Sequence, residues 1–287
     1  MTMLNRTNIK NRLRTNPEPK IVGEIRDEIL NKFKDLVFNE EPHTYFVGDK
    51  QLMSVSEFCH KFEPFKDWDF IAEKKAIKDG VDKDDLKAKW DYDKNVASYS
   101  GTIVHLYAEC LDNYTRTCDP NVIHNAMRLQ FDKSNGVLYP SSLKQQAAQM
   151  AIEHFFNMGN VYPVLAETMV YNDYYAGTFD KLVYIKRDDG KKSGLYILDW
   201  KTNGNLYSQY NRTMGNMMLP PFDTLYDENI GKYSIQQSAY QIPLEDMGLP
   251  VIGRALIWLK IVDGNPQYEI VKLKNYTKQI RQFINEH

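Results

Sequence analysis

Two acids and one lysine in the second half of the chain hold the densest potential for chemistry. Asp180 ends the phrase Ala176-Gly-Thr-Phe-Asp180, and Asp199 and Lys201 close the apolar run that starts at Leu195. On a strand, residues two apart share a face, so Asp199 and Lys201 project together while Leu198 and Trp200 face the other way. An acid and a lysine at the end of an apolar strand are costly to bury without a task. Taken alone, such a pair reads as a salt-bridged strand end. It is not alone: Asp180 lies 19 residues earlier, a separation suited to a hairpin partner in the same sheet. Carboxylates on adjacent strands form the oxygen-rich site that a hard divalent cation prefers, Mg2+ or Mn2+. Glu167 on the preceding strand can add a third carboxylate, and His105 on a helix can add an imidazole. Glu109, one helical turn after His105, reads either as a further ligand or as a cap for a basic side chain. Without a cation, these acids would repel one another and their pKa values would rise.

Four phrases in order carry a family resemblance: Gly101-Thr-Ile-Val-His105, Gly177-Thr-Phe-Asp180, Asp199-Trp-Lys201-Thr202 and Gln236-Gln-Ser-Ala-Tyr240. Together they resemble the GxxxH, GxxD, DxKT and QxxxY motifs of the PD-(D/E)XK nuclease superfamily, in its RecB-type branch, which includes phage recombination exonucleases. The segment His43-Thr-Tyr-Phe-Val through Phe58 also looks like the entry segment of phage-type members. The resemblance implies a restriction-endonuclease-like core and metal-dependent hydrolysis of DNA, with water attacking phosphorus in line. It implies Asp180 and Asp199 as principal metal ligands, helped by the backbone carbonyl of Trp200, by His105 and by Glu167. Lys201 would position or deprotonate the attacking water. Gln236 and Tyr240, four apart on a helix, would orient the lysine and the scissile phosphate. One metal or two is left open.

The elements that must position these residues are legible in outline. Pro42 to Val55 reads as two β-rich runs around Gly48-Asp-Lys50, a hairpin. Ser54-Val-Ser-Glu57 is a capping-box pattern that starts a helix. Residues 66–94 mix nine acids with eight lysines, as solvated helices do. From Ala97 the order reads helix (101–113), helix (142–158), strands at 164–171, 177–186 and 195–201, helix (232–247), strands at 254–262 and 268–273, and helix (276–285). That is an α/β (α+β) chain with a mixed central sheet flanked by helices. We expect an N-terminal arm, hairpin and helical region over 1–96, packed on a nuclease core over 97–287. Thr202 to Asn229 reads as an irregular stretch that forms a wall of the substrate channel and orders on binding.

Charge and composition limit the partners. Lys plus Arg is 36 and Asp plus Glu is 38, which excludes a globally basic nucleic-acid binder but not a local basic stripe. Candidate DNA contacts are the basic arm (Arg6, Lys10, Arg12, Arg14), read as flexible, with Arg212, Lys272, Lys274, Lys278 and Arg281. Tyr207, Tyr210 and Phe222 are candidates for stacking on unpaired bases. Cys59, Cys110 and Cys118 form no CxxC pair, so neither a zinc ribbon nor an iron–sulfur cluster is expected, and reduced thiols in a cytoplasmic compartment are. No apolar run approaches the roughly 20 residues that span a bilayer, and the N-terminus lacks the apolar core of a secretory signal. The expected partners are DNA, as a duplex end or single strand, and a single-strand annealing protein. An oligomer fits the family, as does the host cytoplasm for a phage-encoded enzyme. Two other functions fit the same residues: a structure-specific endonuclease on flaps or junctions, and a non-catalytic DNA-end-binding protein of nuclease fold.

Overall fold

The computed structural model describes residues 6–119 and 141–287. The fold is α+β: a mixed eight-stranded sheet with helices on both faces. In chain order the elements are α1 (Arg6–Thr15), α2 (Lys20–Lys32), β1 (Leu36–Asn39), β2 (Thr44–Val47), β3 (Lys50–Ser54), α3 (Val55–His60), α4 (Trp68–Asp79) and α5 (Lys83–Thr117). After residues 120–140 come α6 (Ser141–Met158), β4 (Val161–Tyr171), β5 (Tyr175–Ile185), β6 (Gly194–Lys201), α7 (Gln209–Met214), α8 (Asn229–Asp246), β7 (Val251–Val262), β8 (Asn265–Lys272) and α9 (Thr277–Glu286).

Alternation along β6 sorts the two layers. Leu198 and Trp200 pack with Val104, Ala108 and Leu111 of α5 and Ala147, Ala151 and Ile152 of α6. Leu195 and Ile197 face the other layer, with Ile235, Ala239 and Ile242 of α8, Phe58 of α3 and Ile25 of α2. Helix α3 starts at Ser54 through a complete capping box: Ser54 Oγ accepts from Glu57 N at 3.1 Å, and Glu57 Oε2 accepts from Ser54 N at 2.8 Å.

Strand β5 is the hinge of the architecture. One of its edges pairs antiparallel with β4 nearly end to end. The other edge is shared: β6 pairs antiparallel over Lys181–Ile185, and β3 pairs parallel at Tyr175 and Ala176. Between these partners, Gly177 to Asp180 has no strand on that edge, so the sheet forks there. Beyond the fork, β6 pairs parallel with β7 and β7 antiparallel with β8.

Three expectations need correction. The helix read as 101–113 is the end of a 35-residue helix running from Lys83 to Thr117, so residue 97 lies in mid-helix. Asp82 caps it by accepting from the amides of Asp84 and Asp85. The basic arm is not free from Arg6 onward: α1 buries Ile9 against Tyr114 and Cys118, and Arg12 donates to the Val161 carbonyl at 3.1 Å. One apolar anchor in a polar helix leaves too little periodicity to show in the sequence. The 202–229 segment is folded, with α7 and a Met217–Tyr226 bridge, and Phe222 is buried edge-on against Phe62. No described helix is long and apolar enough to cross a membrane.

Candidate metal centre and cleft

The fork in the sheet makes the site. The β5–β6 ladder is regular up to Lys181↔Leu198, and the next residues on the two strands are Asp180 and Asp199, whose charges interact. There the ladder stops, and the Asp180 carboxylate takes its place: Oδ2 accepts from the backbone N–H of Trp200 at 2.8 Å. With the sheet open, side chains from both layers line one cleft of about 990 Å3. Its lining includes His105 and Glu109 from α5, Glu167 from β4, Lys201 from β6 and Tyr233 and Tyr240 from α8.

His105 Nδ1 lies 3.3 Å from Asp180 Oδ2 and 3.8 Å from Glu167 Oε1. One ligand atom from each of these three residues falls within 4.8 Å of the others, the one such cluster among the described residues. Glu167 joins it through a backbone irregularity. Its φ is 43°, in the left-handed region, and the β4–β5 register skips the Glu167–Asp180 pair. Such a conformation is costly for a residue other than glycine and is found where a side chain must be re-aimed.

Asp199 is 2% exposed. Its Oδ1 accepts from Gln237 Nε2 at 2.9 Å, and its Oδ2 lies 2.7 Å from Lys201 Nζ, although that buried oxygen has no partner in good hydrogen-bond geometry. Lys201 Nζ also sits 4.6 Å above the Tyr233 ring. Burial and the Asp180 charge together push the Asp199 carboxyl up to about 6, against the opposing pull of Lys201 and His105. Burial works against charge on His105 as well, but Asp180 and Glu167 outweigh it and lift the imidazole to about 9. For Lys201, Asp199 and Asp180 overcome burial and hold the ammonium charged. Burial, with a smaller contribution from Asp112, raises the Glu109 carboxyl. The site thus sets the Glu167, Asp180 and Asp199 carboxyls against a protonated His105 and Lys201, which leaves it short of positive charge.

These residues fit a hard divalent cation. The crowded Asp180 and Glu167 carboxylates would supply oxygen donors and His105 a nitrogen once its proton is displaced, whereas Asp199, expected as a principal ligand, stands outside this cluster with its Oδ2 paired to Lys201.

The other sequence-derived candidates fall into two groups. Tyr240 lines the cleft, and its ring packs onto β5 because Gly177 has no side chain: a Cβ there would lie 2.8 Å from Tyr240 Cε1. Gln236 sits 3.5 Å from the Tyr240 hydroxyl, but the glutamine that reaches Asp199 is its neighbour Gln237. Trp200 meets the site through its backbone N–H, and its indole is buried on the far face. Arg212 is clamped by Glu228, with Nε–Oε2 at 3.0 Å and Nη2–Oε1 at 2.8 Å, and packs against Tyr207. Tyr207 and Tyr210 are exposed on this segment; Lys274 and Lys278 are exposed but outside the cleft lining. Sequence reasoning missed Gln237 and Tyr233. A polar residue amid Ile235, Ser238 and Ala239 on a largely buried helix was the available signal for Gln237. The model scan finds no matching protein family, and the search of curated proteins finds no match either.

Proposed function

We propose that the protein is a divalent-metal-dependent deoxyribonuclease that hydrolyses phosphodiester bonds from DNA ends, in phage-type recombination, repair or processing. One observation carries this reading: His105 and Glu167, which cluster with Asp180, line an open cleft together with Lys201, and Lys201 is ion-paired with the buried Asp199 behind it. Mg2+ or Mn2+ bound there would supply Lewis acidity, lowering the pKa of water and stabilising charge on the leaving oxygen.

The chain's own residues do the rest. Asp180 is fixed by the Trp200 amide and Asp199 by the Gln237 amide, so both carboxylates are oriented before anything binds. Lys201, kept protonated by its acid neighbours, donates to water or to a phosphate oxygen and offsets charge that builds in the transition state. The Tyr240 hydroxyl, with its proton held firmly by burial, is a donor for the phosphate. In this reading the protein works in the cytoplasm and hands single strands to an annealing partner.

The test is an end-labelled linear duplex, a linear single strand and a closed circular single strand, each with Mg2+ and with EDTA. Mg2+-dependent release of label from linear DNA, with the circle intact, is the expected result. Cutting of the circle would make the enzyme an endonuclease. Tight end binding without cleavage in Mg2+ or Mn2+ would make it a non-catalytic binder and overturn the proposal.

A further inference from the structure

The metal-centre cleft does not end at Lys201. A groove of about 550 Å3 continues from it, and the two share Ala97 and Ser98 of α5 and Thr202 and Asn203 of the loop after β6. The α5 side of this trough presents small residues, Ala97, Ser98 and Ser100, which let an extended chain approach the helix closely. The loop side is fixed: Trp258 Nε1 donates to the Asn203 carbonyl at 2.8 Å, and the Tyr233 hydroxyl donates to Asn203 Oδ1 at 2.9 Å. Lys144, from the first turn of α6, lies in the groove and donates to the Thr202 carbonyl.

Lys144 differs from the other half-buried or buried lysines around the site. Lys201 has Asp199, Lys181 has Asp112, and Lys232 has Glu63 and Asp227. Lys144 has no carboxylate partner among the described residues, and its ammonium donates instead to the neutral Thr202 carbonyl. An ammonium has three N–H donors, so two remain for an anion. The groove's one acid, Asp93, is exposed.

We infer that this groove carries the nucleic-acid strand away from the scissile phosphate, and that Lys144 is a positioning residue that holds a backbone phosphate there. This rests on the nuclease reading of the cleft. The anchor and the end of the catalytic strand would move as one unit, because Lys144 holds the carbonyl of the residue that follows Lys201.

The test uses the full chain with Ca2+ in place of Mg2+ to suppress cleavage. Single-stranded oligonucleotides carry one neutral methylphosphonate linkage, moved stepwise along the strand. For the parent, one linkage near the site should weaken binding severalfold when neutralised. In Lys144→Gln that linkage should no longer matter, all-phosphate DNA should bind severalfold more weakly, and the slope of log K against log salt should fall by about one phosphate contact, roughly 0.7. Lys144→Arg should restore the sensitivity. A lysine that only pins the loop would weaken binding without removing the response to any one linkage, and that outcome overturns the inference. If the parent binds no DNA at all, the nuclease reading fails first, and the inference falls with it.

Discussion

Asp180 and Asp199 do different jobs although they stand side by side. Asp180 is the bridge between the fork and the cluster, bonded to the Trp200 amide and close to His105. Asparagine can still accept from that amide, so Asp180→Asn should fold normally. It removes a charged ligand, and Mn2+ affinity by calorimetry should drop at least tenfold, with Mg2+-dependent cleavage lower by about two orders of magnitude or more. Cleavage within about tenfold of the parent would refute the assignment. Asp199 depends instead on Lys201. Replacing Lys201 with Met leaves a buried carboxylate unpaired, a loss of about 3–5 kcal/mol when it is forced to stay charged. The Asp199 carboxyl is already raised by burial and by Asp180, and losing Lys201 raises it further. An acid whose folded pKa exceeds its unfolded value loses stability as pH rises, so the Tm deficit of Lys201→Met should be larger at pH 8 than at pH 5. Turnover should fall by several orders of magnitude while Mn2+ still binds. Equal Tm deficits at both pH values would mean that Lys201 is not the counter-charge of Asp199.

At the scale of elements, the segment after β6 is held by ion pairs rather than by apolar packing alone. Asp227, with its side chain 1% exposed, lies 2.6 Å from Lys66 and 3.0 Å from Lys232, and Lys232 also meets Glu63 at 2.6 Å. This joins the loop before α4, the end of the long loop and α8. Arg212 and Glu228 form a second clasp. Burial opposes ionisation of Asp227, but the two lysines outweigh it and lower its pKa. Stability from such an acid is present above its unfolded value of about 3.9 and is lost as pH falls through the folded one. Asp227→Asn should therefore lower Tm clearly at pH 7, and parent and variant should converge towards pH 2–3. A Tm difference that persists unchanged at pH 2 would mean that packing, not charge, holds the segment. Arg212 belongs to this scale too: its guanidinium is bound to Glu228, so its loss should be felt first as looser loop structure.

The whole molecule is more integrated than a core with appendages. The N-terminal hairpin joins the main sheet where β3 pairs with β5, and α1 docks on the end of α5. Ile9 is fully buried, so Ile9→Ala should cost about 2–4 kcal/mol. For a chain of this size, that is a Tm decrease of several degrees by circular dichroism. Metal affinity should not change, since Ile9 lies outside the cleft lining. An unchanged Tm would show that α1 does not dock in solution.

The sequence by itself determined the fold class and most of the elements. Period-two alternation put Asp199 and Lys201 on one face, the capping box placed the start of α3, and the strand and helix order after residue 141, apart from α7, was legible from local patterns. These signals are short-range, and local sterics and hydrogen bonding enforce them without reference to distant parts of the chain. Only the tertiary structure decided the fork at Gly177–Asp180, because which strands share the edge of β5 depends on residues more than a hundred positions apart. It alone turned Glu167 into the cluster through a left-handed backbone, and it alone chose between two adjacent glutamines, giving Asp199 to Gln237. The phase of a helix that is buried almost all round is fixed by what packs against it, and no periodicity in its own sequence encodes that choice.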